Sequence, residues 1–361
     1  MNILAVIDSF GIGGAETQLA VCLGELSSRG HRCVACSVEG PRGSEVVFSP
    51  TIQRLYLNKT SPLTAGLAAW RLCRFITQLR PDVVYSRLPL ANGLARIATW
   101  LARGARVVAG IDTMPEGLSP SYGYGFANRI YRRLERFADR IVCNSPATAS
   151  AMVASGVTAD RVLVVPNGVD VDKFVPARRL TNPDVPTLIC VAALRPEKGV
   201  GRLIGLMAKL LERRAARLVI VGDGAERSMI KGLIAAHSID EHVELLGMRE
   251  DIPQLLQQAD ILVSTAYVEG FGIAVAEGAA AGLPVVAFDV QGGLRDLIHH
   301  QQTGFLVPPS RDDLFVAALE QLCSDPEMRR RFGSAGRDHI VKNFSLQATV
   351  PLLDRALTQW D

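Results

Sequence analysis

PNGVDVDKFVPARRLTNPDVP, residues 166–186, is the stretch that divides this chain. It holds four prolines, one glycine and several charges. Proline withholds a backbone donor and bars both helix interiors and central strands, so the segment reads as a linker between domains. Before it, short apolar runs alternate with helical stretches. Strands are expected at Asn2 to Ile7, Cys33 to Val38, Asp82 to Tyr85, Arg106 to Ile111, Arg140 to Cys143 and Val162 to Val165. Helices are expected at Ala15 to Ser28, Leu63 to Leu79 and Leu90 to Leu101. Beyond the linker the same rhythm restarts, with strands at Thr187 to Val191, Leu218 to Val221, Val243 to Leu246, Ile261 to Val263, Pro284 to Ala287 and Phe305 to Val307. Continuous apolar strands separated by helices predict parallel sheets covered on both faces. The fold class is therefore α/β, with two doubly wound, Rossmann-like domains facing across a cleft. The expected boundaries are 1–170 and 171–345, with a tail that is helical from Asp312 and breaks at Asn343 and Phe344. Its last segment, 346–361, is expected to return and complete the first domain.

The bulk numbers agree with two globular domains. The chain has 361 residues, 48% of them apolar and 21% charged, values that exclude a disordered, collagen-like or disulfide-scaffold chain. Net charge is only +3, too weak to imply nucleic acid. It is polarised, however: residues 1–175 carry 19 basic against 13 acidic residues, the remainder 20 against 23. Something anionic is expected at the first half. Cys33 and Cys36 form a C-x-x-C inside a strand-like run, without the second pair that a zinc site needs. The odd count of seven cysteines points to a reduced, cytoplasmic setting. MNILAVIDS is already strand, with no basic leader, and no run of 18 apolar residues free of charge suggests a membrane span.

The densest local chemistry is STAYVEGFGIAVAEGAAAGLPVVA, residues 264–287. Glu269 stands in a loop and Glu277 about two turns into the helix that starts near Gly272. The backbone N–H groups of Gly270, Phe271 and Gly272 at that helix start suit a phosphate or a polyhydroxylated ligand. An ionised carboxylate accepts from hydroxyls without donating; the bland alternative is two unrelated acidic residues. AALRPEKG, residues 192–199, ends the first strand of the second domain, and its Arg195 and Lys198 either supply countercharge for a diphosphate or belong to a solvated loop. GIGGAE, residues 11–16, lets backbone approach a ligand closely, but Glu16 occupies the third glycine position of the dinucleotide fingerprint. That departure argues against a nicotinamide-dependent oxidoreductase.

In order, the chain carries GGAE (13–16), NSPAT (144–148), VPNGVDVDKFVP (165–176), RPEKG (195–199), VGDG (221–224), ADILVSTAYVEGFGIAVAEGAAAGLPVVA (259–287), a GG pair and TGFLVPP (303–309). This series resembles, essentially end to end, the retaining glycosyltransferase family 4 of the two-Rossmann-domain (GT-B) class. The resemblance implies a UDP- or GDP-linked sugar donor held mainly by the second domain, with no resident cofactor and no metal. It implies that Glu277 binds the ribose hydroxyls and that Glu269 lies by the donor sugar with the backbone of Gly270, Phe271 and Gly272. Lys198 would neutralise the diphosphate, Gly13 and Gly14 would approach it from the first domain, and Gly247, Met248 and Arg249 would meet the base. The acceptor implied is a glycan or lipid-linked glycan of a cell-surface polysaccharide, lipopolysaccharide or glycolipid.

Two positions depart from the family pattern. Ala192 and Ala193 stand where Gly-Arg is common, so Arg195 is the candidate replacement for the missing phosphate arginine. Ile111 and Asp112 stand where many members carry a histidine, which makes Asp112 the candidate for donor or acceptor hydroxyls. The Asp170–Asp172 pair lies in the linker motif and is discounted as a metal site. Two segments, Ser61 to Arg80 and Tyr122 to Arg140, mix aromatic residues with arginines and suit an anionic membrane surface, or are ordinary amphipathic helices. A peripheral location on the inner face of the cytoplasmic membrane follows from the first alternative. A nucleotide-sugar 2-epimerase of the same fold and a non-catalytic sugar-nucleotide-binding protein are the competing functions.

Overall fold

The first sheet has seven parallel strands in the order β3-β2-β1-β4-β5-β6-β7. They are β1 (Asn2–Ile7), β2 (Arg32–Ser37), β3 (Gln53–Tyr56), β4 (Val83–Arg87), β5 (Arg106–Ile111), β6 (Arg140–Cys143) and β7 (Val162–Val164). Between them run α1 (Gly14–Ser28), α2 (Ala65–Leu79), α3 (Pro89–Ala102) and α4 (Pro146–Ala154). The computed structural model describes residues 1–41, 43, 45–113, 133–134, 136–176 and 185–360.

β1 is buried along all but its first residue, as a central strand with helices on both sides must be. On one face Leu4, Val6, Val34 and Cys36 meet Leu72 and Ile76 of α2 and Leu94 and Ala98 of α3. Because β1 lies between β2 and β4, the chain reverses its direction of travel across the sheet there. The connections at the carboxyl ends of β1 and β4 therefore part and leave a crevice, the usual ligand position in this class.

The second sheet has six parallel strands, ordered β10-β9-β8-β11-β12-β13. These are β8 (Thr187–Val191), β9 (Arg217–Val221), β10 (Val243–Gly247), β11 (Ile261–Ser264), β12 (Val285–Phe288) and β13 (Gly304–Val307). The helices are α5 (Val200–Leu211), α6 (Arg227–Ala236), α7 (Ile252–Gln257), α8 (Ile273–Ala280), α9 (Leu294–Leu297), α10 (Asp312–Ser324), α11 (Pro326–Phe344) and α12 (Leu346–Thr358). The reversal here falls between β8 and β11. Those are the strands that deliver AALRPEKG and TAYVEGFG.

Two compact units emerge, one from the described residues up to Gly168 with those from Gln347, the other from Val169–Leu346. The division lies at 168/169, inside the linker motif. The tail breaks at Asp325 and at Ser345, one residue beyond the expected Asn343–Phe344, because Asp325 caps α11 through Met328 N–H (2.9 Å) and Ser345 pairs with Val169. α12 buries Val350, Leu353 and Leu357. Two polar ties fix it to the first sheet: His31 Nε2 lies 3.1 Å from Asp354, and Arg140 Nη1 donates to the carbonyl of Ala356 (2.9 Å). His31 is thus a structural residue of this unit.

Candidate active site

In the second unit, the turn Pro196–Lys198 follows β8, and Lys198 Nζ lies 2.6 Å from Glu269 Oε2 in the loop after β11. Both side chains are half-buried. Burial alone pulls the Lys198 ammonium down, but the Glu269 charge and hydrogen bond, with Glu197 beside it, hold it above its ordinary value. Backbone packing fixes the two loops against each other. Gly199 sits at φ +62 with its α-carbon against Thr265, where a Cβ would come within 2.3 Å of the carbonyl oxygen, and Thr265 Oγ1 donates to the Gly199 carbonyl at 3.0 Å. Only glycine meets both demands.

Glu269 is held from behind by Gly292 and Gly293. A Cβ on Gly292 (φ +133) would stand 1.6 Å from the Glu269 carbonyl oxygen, and Gly293 N–H donates to that oxygen at 3.2 Å. The GG pair therefore serves as the seat of the Glu269 backbone. Gly292→Ala should cost about 2 kcal/mol or more, since it combines a clash with a conformation that alanine avoids. Activity should fall with it. Thermal melting and kcat on the same preparation check both, and an alanine variant with the parent's melting temperature and rate would remove this role.

Gly272 (φ +96) caps α8, and the Phe271 side chain is buried against Phe344, 5.7 Å between ring centroids. The Phe271 side chain is thus committed to the core, and any contact of 270–272 with a ligand falls to their backbone. Glu277 lies in α8, its carboxyl pushed up to about 7 by burial, which the more distant Lys173 charge offsets only in part. Its side chain has no hydrogen bond among the described residues. Such a group gains most from hydroxyl donors brought by a ligand.

Arg195 is exposed, and among the described residues its guanidinium has no partner. Met248 is exposed, while Arg249 makes both bonds of a fork to Asp251 (2.7 and 2.6 Å). Sequence reasoning passed over two neighbours. Arg227 lies over Gly247, with Nη1 3.4 Å from where a Cβ would stand. Glu197 is buried, and its Oε1 has no hydrogen-bond partner among the described residues. An arginine opening a helix and a glutamate inside a charged turn both read as solvated groups, so no signal marked them.

The first unit holds the remaining candidates. Gly13 caps α1 in an extended conformation and Gly14 is its first residue; a Cβ on Gly13 would press on Glu16 Oε2 at 2.4 Å. Asp112, at the end of β5, is gripped by Arg87 at the end of β4. Nε donates to one carboxylate oxygen at 3.0 Å and Nη2 to the other. Nη2 also reaches Asn167 Oδ1 at 3.2 Å, and Asn144 Nδ2 donates to the Asp112 carbonyl at 3.0 Å. Burial opposes the Arg87 charge, yet Asp112 outweighs it and raises the guanidinium above its usual range. Asp112 therefore presents a carboxylate whose orientation is already set. Gly110 allows this, since a Cβ there would lie 3.0 Å from Arg87 Cγ. In the linker, Asp170 Oδ1 accepts from Lys173 N–H at 3.2 Å, a turn role.

Residues 12–173 match the model of Glycosyltransferase Family 4, and residues 172–339 match that of Glycosyl transferases group 1. A GDP-mannose-dependent alpha-mannosyltransferase of Mycobacterium tuberculosis is 31% identical over 331 residues, covering 85% of this chain and 84% of that protein. Among solved structures, Anabaena HepE in complex with UDP and glucose superposes with a TM-score of 0.82 at 21% identity over 100% of both chains. Sucrose-phosphate synthase of Thermosynechococcus elongatus gives 0.85 at 20% identity over 98% of each. Two doubly wound parallel sheets with these loops are the GT-B fold, and the chain belongs to the family 4, group 1 glycosyltransferases.

Proposed function

We propose that this glycosyltransferase moves a hexose from a UDP- or GDP-linked donor to a hydroxyl of a glycan or lipid-linked glycan, with retention of anomeric configuration and without a metal. The observation that carries the reading is the Lys198–Glu269 pair at the carboxyl ends of β8 and β11, with the otherwise unbonded Glu277 carboxyl in the next helix. An ammonium has three donors, and Glu269 takes one. The others remain for the diphosphate oxygens, on which charge grows as the glycosidic bond breaks; fixed donors act most strongly where charge develops. Arg195 is the second cation for that diphosphate; in the first unit, Gly13 and Gly14 at the start of α1 offer backbone to a ligand. Glu269 and the 270–272 backbone receive the sugar hydroxyls, Glu277 the ribose, and Gly247, Met248 and Arg249 the base. Asp112, preset by Arg87, receives a donor or acceptor hydroxyl. The acceptor hydroxyl attacks from the face that the diphosphate leaves, and a diphosphate oxygen takes its proton.

Product analysis with UDP- and GDP-hexoses in EDTA tests this. Nucleoside diphosphate should appear in step with a glycoside of the donor's anomeric configuration. Inversion, or complete loss in EDTA restored by Mg²⁺ or Mn²⁺, would count against the mechanism. Release of a free 2-epimeric sugar would identify an epimerase, and no turnover with any donor a binding protein.

The protein is also proposed to work at the inner face of the cytoplasmic membrane. In α2 and the turn before it Leu63, Leu67 and Trp70 are exposed, and Arg74 lies 5.1 Å from the Trp70 ring centre. The second aromatic–arginine segment lies largely outside the described residues. No described helix is long and apolar enough to cross a membrane. Binding to anionic vesicles should weaken as salt rises from about 0.05 to 0.5 M, because the attraction is screened. Equal partitioning onto neutral vesicles would remove the charge-based part of the proposal.

A further inference from the structure

At the end of the first sheet opposite Arg87 and Asp112, α2 and α3 both end beside an open groove of about 760 Å³. Arg80, Asp82, Arg103, Gly104, Arg106 and Trp360 line it. β4 and β5 begin there, so the groove sits at amino-terminal strand ends and shares nothing with the sugar-transfer residues.

Arg80 and Arg103 are the residues that cap the two helices, and both are left-handed: φ 45, ψ 57 and φ 54, ψ 42. Glycine takes that conformation freely and arginine only at a cost. A basic residue does offset the dipole at a helix end, but it does so from the last helical turn without strain. Neither helix has one there, and Gly104 stands one place beyond the arginine that took the strained position. Helix-end electrostatics thus explains the charge and leaves its placement unexplained.

The two guanidinia are exposed and have no partner among the described residues. Asp82 is occupied by Asn2 N–H at 2.7 Å. Arg106 lies 4.5 Å from the Trp360 ring centre and Arg140 4.4 Å, while Trp360 Nε1 donates to the Leu357 carbonyl at 2.9 Å. A fixed aromatic ring therefore supports two cations, of which Arg106 lines the groove beside the two free ones.

We propose that this groove binds a phosphate-bearing ligand through Arg80, Arg103 and Arg106. Guanidinium forks match phosphate oxygens in pairs, and three of them against one committed carboxylate leave the groove positive. The phosphate comes either from an anionic lipid headgroup or from a soluble phosphate compound. The proposal does not depend on the sugar-transfer reading.

Binding is measured on the full chain carrying Lys198→Met and Arg195→Ala, so that both cations proposed for the diphosphate at the other site are removed. The probes are inorganic pyrophosphate and phosphatidylcholine vesicles with or without phosphatidylglycerol. The double variant Arg80→Gly, Arg103→Gly removes two guanidinia while giving both positions the residue they favour, so its melting temperature should hold or rise. Its binding should weaken at least about tenfold. Arg106→Gln, which leaves both helix ends intact, should weaken binding in the same direction. Saturable pyrophosphate binding lost in these variants assigns a soluble ligand, and loss confined to phosphatidylglycerol vesicles assigns a headgroup. Binding of both probes unchanged in the variants, or of neither in the parent, overturns the site.

Discussion

Lys198→Ala is expected to lose a factor of about 10² to 10³ in kcat, the effect typical of removing one donor from a site of developing negative charge. The ammonium is half-buried, and Glu269 raises its pKa against burial, so it is charged throughout the neutral range. Deleting it leaves the Glu269 carboxylate in place without its counter-ion, which adds a stability cost that a double variant can separate. Lys198→Ala, Glu269→Gln should recover stability without recovering rate. Arg195→Ala should also lower kcat, by about tenfold or more if its guanidinium reaches the diphosphate. A change below about threefold, roughly 0.6 kcal/mol, would leave Lys198 and backbone N–H groups as the whole clamp. The measurement is kcat and kcat/KM for each variant on the true donor, with melting temperature as the control for folding. A near-parental Lys198→Ala enzyme would overturn the assignment of the site itself.

Donor affinity should rise with pH through neutrality because of Glu277. Burial raises its carboxyl to about 7, whereas ribose hydroxyls donate best to the ionised form. Binding then draws on the ionised fraction, and affinity for a nucleotide sugar should increase about tenfold between roughly pH 6 and pH 8. A nucleotide sugar is the proper ligand because its diphosphate is fully ionised across this range. Glu277→Gln should bind more weakly and lose most of the slope. The same shift has an opposite consequence for folding. The folded-state value lies above the unfolded one, so the contribution of Glu277 is fully present below the unfolded pKa and is lost as pH rises through about 7. Glu277→Gln should therefore be more stable than the parent near pH 8, by about 2 kcal/mol, and should show no such advantage near pH 5. Titration calorimetry and melting at the two pH values decide it. A variant that keeps the slope would place the titrating group elsewhere.

Most of the fold was readable because these strands are buried on both faces and announce themselves as apolar runs: Arg106–Ile111, Arg140–Cys143 and Thr187–Val191 stand as expected. β3, Gln53–Tyr56, was missed. It is a half-exposed edge strand in which Gln53 and Arg54 conceal the pattern. The candidate site divides along a different line. Lys198 and Glu269 were legible as residue types at the carboxyl ends of strands, where loops of this fold gather ligands, and Glu277 as a carboxylate in the helix that follows. Their mutual arrangement depends on contacts far apart in sequence. Nothing local connects Gly292 with the carbonyl of Glu269, or Gly199 with Thr265. Asp112 was read as a carboxylate waiting for a hydroxyl. Its partner Arg87 ends a strand that looks complete without it, and an arginine in that position resembles any solvated residue.

The return of the last helix to the first unit bears on how the chain is made. Val169–Leu346 is continuous, and domains of continuous chain can complete themselves during synthesis. The first unit, although translated earliest, lacks Val350, Leu353 and Leu357 until α12 emerges. It therefore closes only after the whole of the second unit has been translated, and the half that starts first on the ribosome is the half that finishes last. A chain truncated before α12 would carry the whole continuous stretch of the second unit attached to an uncompleted first one. The nascent first unit is accordingly the part exposed for longest to chaperones and proteases.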